Sequence, residues 1–142
     1  MSQLTFSAHE PYQSLLDSAE AAQAAGDHKV AVILAQTAVE LFTAKILSYL
    51  YQVRDINYLK PQFEHFLINY NIGNSKVSDL YMTLSGDLLN QAPFWSRFTD
   101  HVQLRNDLIH EGTDATADQG QASLDAVSEL INHIVKFHST DV

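Results

Sequence analysis

The chain has 142 residues, 46% of them hydrophobic, no cysteine and a formal net charge of −9. That length suits one domain with a proper core, and the lack of cysteine excludes both a disulfide framework and a thiolate metal site. The acidity argues against tight, non-specific binding to nucleic acid, which depends on Lys and Arg releasing counterions from phosphates.

Any nucleic-acid site must therefore be a local positive spot on an acidic body. The opening residues, M-S-Q-L-T-F-S-A-H-E, lack a basic region followed by an apolar run, so they do not read as a signal peptide. The expectation is a cytoplasmic protein.

The chain reads as all-α, a small up-and-down helical bundle in a single domain spanning residues 1–142. No alternating runs separated by hairpin turns suggest strands. Ser7 and Glu10 make a capping-box pattern with Pro11 in the first turn. The first helix runs to about Ala25, with Tyr12, Leu15, Leu16 and Ala19 as its apolar stripe, and Gly26 stops it.

Asp27 can cap a second helix, from about His28 to Gln52, which is apolar nearly all round. Its length suits a membrane span. Glu40 and Lys45 lie near its middle, where each would cost roughly 2.5–3.5 kcal/mol. A central helix covered on several sides is the better reading, with any uncovered apolar face left for a dimer.

Residues 53–60 read as a linker and 61–70 as a short helix. A turn at 71–74 holds Gly73. Ser75 can cap a further helix to about Gln91, with a break at Gly86 and Asp87. The next helix runs from Pro93 to Glu111, with Pro93 in its first turn and Gly112 as its stop. A polar loop follows, and Thr116 or Asp118 can cap the last helix. That helix repeats Leu124, Val127, Ile131 and Ile134, then Phe137 or His138, at helical spacing.

The Pro93–Glu111 helix carries the chemistry. Phe94, Trp95, Phe98, Val102 and Ile109 fall on one arc, which is expected to face the core. Arg105 falls inside that arc, where a guanidinium must be paired or used. A buried salt bridge to Glu40 is one reading. Arg97, His101 and Arg105 lie along one ridge. Arg97 reads as a solvated edge or a substrate contact, and His101 as a surface residue or a ligand contact. His110 sits at the helix end, where it can serve the helix dipole or act as a working residue. Arg105 and His110 point about 140° apart on one regular helix, whereas Asn106 lies one turn before His110 on its face.

No paired His at metal spacing, no Gly-rich phosphate loop and no nucleophile elbow occur, so no cofactor or metal is expected. His133 and His138 are five apart on the last helix.

At Arg105, Asn106 and His110 the chain resembles the HEPN superfamily, named for nucleotide binding in higher eukaryotes and prokaryotes. Its mark is an Arg, a polar residue, and a His after four to six intervening positions. Glu111-Gly112 is similar to the family as well, as is the A-A-G-D turn before a helix with Ala35, Ala38 and Glu40. The resemblance covers most of the chain from Ser14 onward, in helix order and length. Some toxin members carry a Tyr two residues after the His; here Gly112 stands there.

The resemblance implies a metal-independent endoribonuclease acting as a homodimer on RNA. It implies that Arg105 stabilises phosphate charge, His110 transfers protons and Asn106 orients; His101 and Arg97 are candidate substrate contacts by their place on the Arg105 ridge, not by the resemblance. It also implies a toxin or defence setting, with an antitoxin or nucleotidyltransferase as partner. A non-catalytic protein-binding module is the alternative.

Overall fold

In the computed structural model, residues 10–139 are described. They form an all-helical bundle of six α-helices: α1 (Pro11–Ala24), α2 (His28–Val53), α3 (Lys60–Phe66), α4 (Ser75–Ser85), α5 (Trp95–Glu111) and α6 (Ala117–Ser139). Short 3-10 turns at Asn57–Leu59 and Leu89–Gln91 lead into α3 and towards α5. No strand occurs among the described residues.

Helix α2 is the centre. It packs against α1, α4, α5 and α6. Ala35, Ala38, Val39, Phe42, Ile46 and Leu47 are all fully buried along it. Each larger side chain among them contributes roughly 1.5–3 kcal/mol by leaving water. The helix is long and apolar enough to cross a membrane, with a mean hydropathy of 1.7 in its most apolar window. Here 56% of that window is buried inside the bundle. Its outer stripe, Val30, Leu34, Thr37 and Leu41, stays partly or fully in solvent.

Caps and turns set the helix ends. Glu10 takes the N-cap position of α1, and its side chain pairs with Lys45 of α2. Ser7, the expected partner in a capping box, lies outside the described residues. The Asp27 carbonyl accepts from Ala31, but its side chain makes no cap bond. Asn74, rather than Ser75, caps α4 by accepting from the Lys76 amide. Gly86 ends α4 at φ 75°, so the helix stops at Ser85 and does not reach Gln91. Helix α3 ends at Phe66, not Tyr70, because Leu67 turns extended. Thr116 and Gln119 form a reciprocal capping box at the head of α6.

Two expectations about α5 need correction. Pro93 precedes the helix. Ala92 is extended and its carbonyl accepts from Trp95, so Pro93 shapes a turn and the helix begins at Trp95. The buried arc is also rotated. Phe94, Phe98, His101 and Leu108 are buried, whereas Ile109 is 46% exposed. His101 can turn inward because Gln36 meets it there. Leu108 packs with Val32 and Ala115 in a small apolar cluster, and so takes the inward place expected of Ile109.

Candidate functional site

Helix α5 ends on Gly112, whose φ of 67° is a left-handed conformation that glycine adopts without penalty. Its last two turns present Arg105, Asn106 and His110. Arg105 is half-buried. Its Nη1 donates to Asn106 Oδ1 at 3.2 Å. Its Nε is buried and has no hydrogen-bond partner. No ion pair joins Arg105 to Glu40 among the described residues, so the salt bridge entertained for it does not form. Asn106 thus engages the guanidinium, not the imidazole of His110. His110 is exposed, and among the described residues its side chain makes no hydrogen bond.

His101 lies beneath the surface. It is 3% exposed, and its Nε2–H donates to Gln36 Oε1 at 2.9 Å. Burial, and then the positive charge of Arg105, push its pKa down to about 4. The ring is therefore a neutral donor at ordinary pH, tilted by 37° against the ring of Phe98. Its Nδ1 and the amide nitrogen of Gln36 are buried without partners. Arg97 is exposed and forms a 2.8 Å ion pair with Glu129 of α6. The five candidates thus separate into three kinds. Arg105 and Asn106 are joined, His110 is open to solvent, and His101 and Arg97 are held by partners on other helices.

A second polar cluster was not visible in the sequence. Asp87, buried just after α4, accepts from the Tyr81 hydroxyl at 2.8 Å and from His133 Nε2 at 3.0 Å. The Tyr81 oxygen also lies 3.0 Å from His138 Nε2, which donates to it. Burial first, then the bond to Asp87, raise the Tyr81 pKa, so its phenol remains a donor. This chain ties α4 and the 86–91 turn to the end of α6. The break at Gly86 and the two histidines five apart on α6 were legible; nothing local linked them. Among the described residues, no group of three or more His, Asp or Glu side chains is arranged to hold a metal ion.

A groove of about 320 Å³ between α1 and α6 is lined by Glu20, Gln23, Gln121 and Asp125, and holds none of the candidates. No protein-family model matches the chain, and no curated protein or solved structure matches it.

Proposed function

We propose that this chain is a metal-independent endoribonuclease of the HEPN type that works as a homodimer. The observation that supports this reading best is the end of α5: a half-buried guanidinium braced by Asn106, with an unbonded, exposed imidazole one turn beyond. Those groups suit cleavage by the ribose 2′-hydroxyl. A base removes the hydroxyl proton as O2′ bonds to phosphorus. An acid protonates the departing 5′-oxygen as the P–O5′ bond breaks. His110, free on both ring nitrogens, suits either transfer. Arg105 offers a planar donor set to the charge that builds on the phosphate oxygens. One chain supplies one His110, and a two-fold dimer supplies two, enough for both proton roles.

The same proposal carries a cytoplasmic setting, a toxin or defence role, and an antitoxin or nucleotidyltransferase as protein partner. It treats α2 as a core helix rather than a membrane span. The second reading is a non-catalytic HEPN-like binding module. The exposed apolar side chains Val30 and Leu41 of α2 favour it, since they offer a surface for another protein.

The test is incubation of purified protein with a labelled single-stranded RNA and its DNA twin, with and without excess EDTA. The expected result is cleavage of RNA alone, unaffected by EDTA, leaving a 2′,3′-cyclic phosphate. Cleavage of both strands, or cleavage only on adding Mg²⁺ or Mn²⁺, overturns the mechanism. No cleavage of any RNA favours the binding module.

A further inference from the structure

A chain of net charge −9 must still hold an RNA strand if it is to cut one. Helix α5 offers little help, since Arg97 is already paired with Glu129. The cations, however, are unevenly spread. Three of the eight Lys and Arg, namely Arg54, Lys60 and Lys76, fall within residues 54–76. Only two of the seventeen carboxylates, Asp55 and Glu64, fall there. This stretch is a positive island on an acidic chain.

The same stretch exposes large apolar side chains. Tyr58 is 75% exposed, Phe66 58% and Ile68 88%. One of the cations stands against one of these rings. Lys76 Nζ lies 5.0 Å from the centre of the Phe66 ring, which is still more than half open. Lys60 meets Glu64 only loosely, at 3.9 Å on the surface. Arg54 uses its Nε on the Leu84 carbonyl, and the residue is exposed. A shallow groove beside Lys76 is lined by Ile68, Asn69 and Asn74.

One turn near the end of this stretch lies against α5. A Cβ added at Gly73 would come within 3.0 Å of Val102 Cγ2, so the 71–74 turn presses on that helix. Arg105 and Asn106 follow Val102 by three and four positions, on the same side of α5.

We propose that residues 54–76 form a platform for single-stranded RNA, with Tyr58 and Phe66 stacking bases and Arg54, Lys60 and Lys76 neutralising phosphates. Rings interleaved with cations are the chemistry that holds single strands without reading sequence. The choice of RNA over DNA rests on the ribonuclease reading, because the platform itself contacts nothing that requires a 2′-hydroxyl.

The test separates binding from cleavage. Binding is measured by fluorescence anisotropy of labelled oligouridine and its DNA counterpart on the full chain carrying His110→Ala. Adding Tyr58→Ala or Phe66→Ala should weaken binding of both strands about tenfold each, whereas Phe66→Tyr should not. Lys60→Glu with Lys76→Glu should weaken binding further and flatten its salt dependence. In the chain that retains His110, Tyr58→Ala should raise KM and leave kcat and the thermal midpoint unchanged. RNA cleavage with binding and KM unmoved by these substitutions overturns the platform and leaves the ribonuclease standing. Ring-dependent binding of both strands without cleavage supports the platform and removes the ribonuclease. No binding of either strand overturns the platform. So does retention on anionic lipid vesicles that needs the same rings while RNA binding does not.

Discussion

His101 and Gln36 meet inside the α2–α5 seam, Nε2 to Oε1 at 2.9 Å, both almost wholly shielded from water. The pair explains how α5 can turn a polar residue inward between Phe98 and Leu108. It also carries a pH signature. The folded pKa of His101 is about 4, through burial and then the charge of Arg105, against about 6.5 for an unfolded histidine. Between those values the unfolded chain binds a proton that the folded chain refuses. Stability should therefore fall as pH falls from 6.5 to 4, by about 3 kcal/mol from this residue alone. Above pH 6.5 this contribution is constant. Denaturation of wild type and His101→Leu at pH 7, 5.5 and 4.5 isolates the effect. The gap in stability between them should shift in favour of the variant as pH falls. A gap that does not move would sink the argument.

The Tyr81–Asp87 contact predicts a different pattern. Tyr81→Phe leaves Asp87 and His138 each short of one partner, in a place with little water, and should cost about 1–3 kcal/mol. The Tyr81 pKa is raised in the folded state. The unfolded phenol therefore ionises first, from about pH 10. Wild type should lose part of its advantage over Tyr81→Phe as pH rises above that point. Urea titrations at pH 8 and 10.5 read both effects. Equal stability of the two chains at pH 8 would mean that the hydroxyl carries no weight.

How much of this was legible in the sequence depends on how far apart the deciding residues lie. Local patterns were enough for the central α2, the stripe of α6 and the end at Gly112, whereas Gly86 read as a break inside a helix to Gln91 and is in fact its end. Thr116 was one of two candidate caps, and its partner three residues on decided between them. The inward turn of His101 depends on Gln36, 65 positions away. The Asp87 cluster joins positions 46 and 57 apart. A helical wheel gives the angle of Ile109 but not what stands opposite it, so it assigned Ile109 to the core. For the candidate site, the sequence places Arg105, Asn106 and His110 on one helix. It cannot show that the amide of Asn106 is already engaged by Arg105.

The Gln23 side chain of α1 lies against Gly120 of α6. A Cβ there would lie 2.1 Å from Gln23 Oε1. Gln23 is a clip: its Nε2 donates to the Ala117 carbonyl at 2.9 Å, and its Oε1 lies 2.8 Å from His28 Nδ1. Gly120→Ala gains up to about 1 kcal/mol of helix propensity but must expel that side chain and its bonds. In wild type the substitution should be neutral or destabilising. In a Gln23→Ala background it should stabilise by about 0.5–1 kcal/mol. A double-mutant cycle by thermal denaturation checks this. Additive effects would mean that the clip holds nothing.

The variants at the end of α5 separate site from scaffold. His110 is exposed and unbonded, so His110→Ala should abolish cleavage with the thermal midpoint nearly unchanged. Arg105→Lys keeps the charge but loses the planar donor set braced by Asn106, so activity should still fall sharply. Arg97→Ala breaks only an exposed ion pair, worth about 0–1 kcal/mol. If Arg97 contacts substrate, KM rises and kcat stands. Loss of folding in Arg105→Ala would assign that residue to structure instead.

The proposed mechanism needs two copies of His110, and this makes the oligomeric state a direct test. Two-fold pairing of α5 helices would cover Ile109, which lies between Arg105 and His110 and is 46% exposed in the single chain. The uncovered apolar stripe of α2 adds surface that one bundle does not bury. Light scattering at micromolar concentration should give about twice 15.9 kDa. Ile109→Glu puts two like charges near the axis in place of two apolar contacts. It should yield a folded monomer, with helical circular dichroism intact and cleavage lost. Leu41→Glu, on α2 and not on α5, separates the two surfaces. If it alone dissociates the dimer, the pairing runs through α2. A wild-type chain that is monomeric at these concentrations removes the dimer, and with it the route by which His110 serves as both acid and base.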